Sequence, residues 1–144
     1  MLKDKVFLTQ TDTTIGFVSQ NPDRLTNIKQ RSPYKYYIKA VNSLFTLKSF
    51  TRIPSAHKNT LRRSQRTTFI VPDGNSYRVV YDKHHLLLLN RIKWAYTTSA
   101  NLSSEAYDED FARESVDIVI EPLTQNIQPS KMYKLGKHSI KRIR

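Results

Sequence analysis

The chain of 144 residues contains no cysteine. That excludes a disulfide framework, a thiolate zinc site and a cysteine nucleophile. Glycine is almost as scarce, with only Gly16, Gly74 and Gly136. Phosphate-cradling loops of the G-x-G-x-x-G or Walker type need several glycines in close succession, so both are excluded. Long apolar runs are missing too. The longest, Leu86 to Leu89, falls far short of the roughly 20 residues a membrane-crossing helix needs. The charged start, Met1 to Leu8, holds no signal-peptide hydrophobic region. These absences predict a soluble, cytoplasmic protein with no membrane partner.

What the chain has in excess is positive charge: 24 Lys and Arg against 12 Asp and Glu, net +12. Residues 1–60 carry net +7, residues 61–100 net +5 and residues 124–144 net +6, while residues 101–123 are acidic at net −6. A field of that sign attracts polyanions such as nucleotides and RNA. A solvated basic surface with no such partner reads equally well from charge alone.

The length fits one domain over residues 1–144. Val6-Phe7-Leu8 reads as a strand and Thr9 to Gly16 as a turn-rich segment, with Gly16 free to take an unusual backbone conformation. A helix starts near Asn21-Pro22-Asp23, with Asp23 as its cap, and ends before Pro33. Tyr36 to Val41 reads as a strand, and the aromatic–basic alternation of Ser32 to Lys39 suits either a sheet edge or a single-stranded nucleic-acid surface, the edge being favoured. Leu44, Leu47 and Lys48 fall at helical spacing, and Pro54 opens a helix running to about Arg63. Thr67–Val71 and Tyr77–Tyr81 flank Pro72-Asp73-Gly74-Asn75, which is hairpin chemistry. A helix over 84–90, a strand over 94–98, a helix capped by Asp108, a strand over 116–120 and two strands after Met132 complete the pattern. This irregular alternation predicts an α/β domain with a mixed sheet.

Three segments carry candidate chemistry. Lys29-Gln30-Arg31 puts two cations at a helix end, where they either grip an anion or complement the helix dipole. Thr97-Thr98-Ser99-Ala100-Asn101-Leu102-Ser103-Ser104 follows an apolar strand and is dense in hydrogen-bonding groups, suiting phosphate or ribose; a Ser/Thr turn capping the next helix reads as well. Thr11-Asp12-Thr13-Thr14-Ile15-Gly16 admits the same two readings. Ser99 lacks the G-x-S-x-G context of a nucleophile. Neighbouring His84 and His85 point different ways on a helix and do not chelate as an i, i+4 pair does; with His57 and His138 isolated, no protein metal site is expected.

In order and spacing these segments resemble the threonylcarbamoyl-adenylate synthase family, the YrdC/YciO-like domain. Gln10 to Phe17 lines up with its Pro-Thr-Asp-Thr-x-Tyr-Gly-Leu, Lys29-Gln30-Arg31 with its Lys-x-Arg, and Thr98 to Ser104 with its Thr-Ser-Ala-Asn-x-Ser-Gly. Pro129-Ser130-Lys131-Met132 matches its late Pro-Ser-Thr-Ile block more weakly, followed by a final arginine at Arg144. The resemblance covers essentially the whole chain. It implies a twisted, mixed parallel and antiparallel sheet flanked by helices, with a basic concave cleft. It implies synthesis of threonylcarbamoyl-AMP and pyrophosphate from ATP, threonine and bicarbonate with Mg²⁺, for a transferase partner that modifies tRNA.

By that resemblance Lys29 and Arg31 are the catalytic cations, holding substrate carboxylate and phosphate oxygens. Ser99, Asn101, Ser130 and Arg144 join them in binding the nucleotide. Thr13, Ile15 and Thr68 fall at the threonine pocket. The chain departs from the pattern at Gln10, Ile15, Ser64-Gln65-Arg66, Ser104 and Lys131. The nucleotide side is better kept than the threonine side. The alternative implied is a non-catalytic relative that binds nucleotide or double-stranded RNA.

Overall fold

A computed structural model describes residues 2–32, 36–124 and 127–144. Nine strands form among them: β1 Phe7–Gln10, β2 Ile15–Ser19, β3 Ile38–Val41, β4 Thr67–Ile70, β5 Ser76–Val79, β6 Trp94–Ser99, β7 Ile118–Ile120, β8 Lys131–Leu135 and β9 Ile140–Arg142. They make one sheet in the order β7-β1-β2-β6-β3-β5-β4-β8-β9. The pairs β1/β7, β3/β5 and β4/β8 are parallel and the other five antiparallel. The helices are α1 Pro22–Lys29, α2 Leu44–Lys48, α3 Lys58–Arg63, α4 Lys83–Ile92 and α5 Glu109–Ser115, with a 3₁₀ turn at Ser55–His57. The expected mixed α/β sheet with flanking helices is what forms.

Side chains alternate across the sheet as the pleat requires. On one face Ile15 and Phe17 pack under Leu25 of α1 and Ala112 of α5. Farther along that face Val41, Phe69, Tyr77, Val79 and Leu135 pack under Leu44 and Leu47 of α2 and Leu61 of α3. On the opposite face Phe7, Val18, Ala40, Val80 and Ala95 meet Leu88, Leu89 and Ile92 of α4. α4 is the helix layer of that opposite face and covers only part of it.

Local chemistry sets most element boundaries. Asp82 caps α4 by accepting the His85 N–H at 3.0 Å, and Asp108 caps α5 through the Phe111 N–H at 3.2 Å. The β4–β5 hairpin closes over Gly74 at φ +92°.

Three expectations are corrected. The cap of α1 is Asn21, whose side chain accepts from the Asp23 and Arg24 N–H groups, with Pro22 as the first helical residue. Gly16 lies inside β2 rather than in a turn. Its lack of a side chain matters for space, because a Cβ there would sit 3.0 Å from both the Thr98 carbonyl oxygen and Thr11 Cγ2. β3 is not an edge strand but sits between β6 and β5. Lys39 is tolerated there because its ammonium lies 4.0, 4.5 and 5.2 Å from the ring centroids of Phe50, Trp94 and Tyr96. The adjoining positions Pro33, Tyr34 and Lys35 lie outside the described residues.

Candidate functional site

The turn between β1 and β2 is closed by one hydroxyl. Thr11 Oγ1 accepts from the N–H groups of Thr13 and Thr14 at 3.3 and 3.2 Å and donates to the Thr14 carbonyl at 2.7 Å. This turn aims Asp12 inward beneath the sheet. There Arg78 Nε of β5 lies 3.3 Å from Asp12 Oδ1, and His85 Nδ1 of α4 lies 3.9 Å away. His85 is fully buried. Burial first, then the Arg78 and His84 charges, push its pKa down to about 3, so the ring is neutral at ordinary pH. Burial raises Asp12, opposed by the Arg78 charge. Burial lowers Arg78, opposed by Asp12 and reinforced by Arg144.

At the end of α1, Lys29 is 4% exposed. Its ammonium donates to the carbonyls of Ser99 and Asn101, both at 2.8 Å, and to Asn101 Oδ1 at 3.2 Å. Ser99 Oγ donates to the same Oδ1 at 2.6 Å. The Asn101 amide nitrogen donates to the carbonyls of Leu102 and Glu105 at 2.8 and 2.7 Å. Lys29 and Asn101 thus pin the loop after β6 to the end of α1. Burial, then the neighbouring Arg31, bring the Lys29 pKa down to about 8. The Arg31 guanidinium lies over the Tyr37 ring at 4.9 Å.

The C-terminal hairpin contributes the third part. The N–H groups of Ile143 and Arg144 both donate to the Met132 carbonyl, so two residues face one in a β-bulge. The bulge turns the Arg144 side chain toward the sheet end, where Nε donates to the Ser130 carbonyl at 3.0 Å and an η nitrogen to Ser130 Oγ at 2.8 Å. Thr68, wholly buried, donates to Ser130 Oγ at 3.2 Å from below.

These pieces border a cleft of about 330 Å³ beside the ends of β6 and β8. Thr13, Ser99, Ser130 and Arg144 line it. Thr68, Lys29 and Asn101 stand one contact behind that lining, under Ser130 and Ser99. Arg31 is not among the lining residues, and neither is Ile15. Ile15 departs from its expected place in the pocket: its side chain is buried in the core with Phe17 and Leu25, on the face that α1 covers. Arg78 lines the cleft and was absent from the motif reading. Its one sequence signal is parity, since it shares the inward face of β5 with Val80 while Tyr77 and Val79 face the other way. Thr97, the first residue of the hydrogen-bonding segment after β6, also lines the cleft, and so does Gln128, which was unforeseen. Gln128 is held there by its N–H bond to the Thr13 carbonyl at 2.7 Å.

The fold has counterparts among solved structures. P. abyssi Sua5 complexed with L-threonine superposes with a TM-score of 0.85 over 98% of this chain and 50% of its own, at 17% identity. E. coli YciO gives 0.76 over 99% and 83%, at 16% identity. The MTH1692 protein of Methanobacterium thermoautotrophicum gives 0.69 over 98% and 80%, at 22% identity. The fold is that of the Sua5/YrdC domains. No family model matches the chain. In sequence it is 32% identical over 149 aligned positions to the uncharacterized protein MG259 homolog of Mycoplasma pneumoniae, and 29% identical over 99 to uncharacterized protein MG259 of Mycoplasma genitalium. The alignments take in 92% and 68% of this chain but only 30% and 21% of those relatives. No helix among the described residues is long and apolar enough to cross a membrane.

Proposed function

We propose that the cleft binds ATP and threonine and makes threonylcarbamoyl-AMP, the donor a transferase partner uses to modify tRNA. The carbamate oxygen formed from threonine and bicarbonate attacks the α-phosphorus, and pyrophosphate leaves. Both reactants are anions, so the protein's task is positioning and charge neutralisation. Arg78 and Arg144 supply the cations at the cleft wall, and Ser99, Ser130 and Thr13 supply directed hydrogen-bonding groups. Lys29 and Asn101 act from behind by fixing the Ser99 loop. Among the described residues no three His, Asp or Glu side chains are grouped to hold a metal ion. In this reading Mg²⁺ enters as part of the substrate, on the nucleotide's own phosphates.

The observation that supports this reading is the meeting in one cleft of Thr13, Ser99, Ser130 and Arg144, from remote parts of the chain, on the fold of a threonine-binding neighbour. The test is threonine-dependent pyrophosphate release from ATP with Mg²⁺ and bicarbonate, with the adenylate identified by mass spectrometry. Arg144→Ala is expected to lower kcat/KM by about 100-fold, the loss of one transition-state contact. No adenylate from the wild-type protein overturns the synthase reading.

A second reading, a non-catalytic RNA-binding relative, is favoured by the C-terminal hairpin. Residues 131–144 hold six Lys and Arg and no acid, and exposed Lys134 and Lys141 stand directly opposite each other. Facing like charges destabilise a hairpin unless an anion neutralises them.

A further inference from the structure

A second concavity, of about 610 Å³, lies away from this cleft. Three segments build it: the loop after α2, the tip of the β4–β5 hairpin and the tip of the β8–β9 hairpin. Because β4 and β8 run parallel, both of these tips mark carboxyl ends of the pair. Thr68 and Ser130, at the other ends, belong to the cleft. The length of β8 puts the two sites about 15 Å apart. Open α/β sheets commonly place ligands beyond carboxyl ends of parallel strands.

The lining has a definite chemistry. Pro54, Ala56 and Pro72 give apolar walls, and Arg52, Lys137 and His138 line the concavity with three basic side chains. Among the described residues no carboxylate is ion-paired with any of the three. The single acid there, Asp73, is engaged in its own turn, accepting the Asn75 N–H at 2.9 Å. The walls are also braced. The buried His57 ring bonds the Gly136 carbonyl at 2.8 Å, tying the loop after α2 to the β8–β9 tip. Two bonds of 2.9 Å between Val71 and the Gly74–Asn75 turn hold the third wall. The volume falls within the roughly 300–1,000 Å³ of small-molecule sites.

We propose that this concavity is a second ligand site, for a phosphorylated small molecule with an apolar body of nucleoside-monophosphate size. The phosphate sits on Arg52 and Lys137, and the body lies against Pro54 and Pro72. The site is separate from the cleft and does not depend on what the cleft binds.

Amide-resolved NMR titration of the full chain with AMP, adenosine and inorganic phosphate tests it. AMP is expected to shift the amides of Arg52, Ser55, Ala56, Lys137 and His138 saturably, with at least tenfold weaker responses to adenosine and to phosphate. The Arg52→Ala, Lys137→Ala double variant should lose this response by tenfold or more and keep any response at Thr13, Ser99 and Ser130. Arg144→Ala should leave the response intact. Both altered positions of the double variant are exposed, so its amide spectrum should remain that of the folded protein; the single Lys137→Gln gives a milder check. Shifts confined to the cleft, no saturable shift, or an equal response to inorganic phosphate would overturn the proposal.

Discussion

Lys29 shows how a side chain behind a cleft wall holds structure. Its three N–H donors are all committed to Ser99 and Asn101. Removing it unties a half-exposed loop from the end of α1, so Lys29→Met should cost on the order of 1 kcal/mol, read as a lower urea midpoint at unchanged slope. A nucleotide-binding assay on that variant must therefore be run with the folded fraction known. His85 makes a different statement. Its imidazole stays neutral in the fold down to about pH 3, whereas the unfolded chain protonates it near pH 6.5. Between those values the unfolded state binds the extra proton, so falling pH favours unfolding by up to about 1.4 kcal/mol per pH unit. His85→Gln lacks that proton. Urea midpoints taken from pH 8 to pH 4 should fall less steeply for the variant than for the wild type. Parallel slopes would mean the ring is already protonated beside Asp12.

Among the elements, legibility followed local chemistry. The cap at Asp108 and the Pro72–Asn75 turn were readable because each is a contact within a few residues. β2 was not. All five of its residues are buried, so the alternation that marks a half-exposed strand is absent. β3 was misread as an edge because its neighbours come from remote sequence, Trp94–Thr97 on one side and Tyr77–Val79 on the other. The site divides the same way. Thr13, Ser99, Ser130 and Arg144, which the cleft brings together, stood in the sequence as members of one ordered motif set. Arg78 has no motif and emerges only when β5 is set beside the Asp12 turn. Gly16 belongs at this scale too. Gly16→Ala would press a methyl against the Thr98 carbonyl across the β2/β6 pair, at a cost of about 1–3 kcal/mol. Thermal unfolding checks this: a Tm equal to the wild type's would show that the two strands can separate enough to admit it.

At the scale of the whole molecule, charge and topology act together. Net charge was legible from composition, but not that the sheet order sends the basic C-terminal hairpin to an edge, opposite the edge strand β7. Lys134 and Lys141 repel across that hairpin, both exposed. If the hairpin serves only the fold, replacing one with a neutral residue is a gain: Lys134→Gln should raise stability by about 0.5 kcal/mol. If it serves RNA, the same change removes a phosphate contact. Affinity for a double-stranded RNA should then fall, and the slope of log K against log salt should drop by about one, each phosphate contact releasing close to one counterion. Both effects are measurable on one variant, by urea unfolding and by a salt series of RNA titrations. A stability gain together with a reduced salt slope would mark the repulsion as the cost of a polyanion surface. A stability gain with RNA affinity and slope unchanged would assign the facing Lys134 and Lys141 to solvation and remove the hairpin as a polyanion surface.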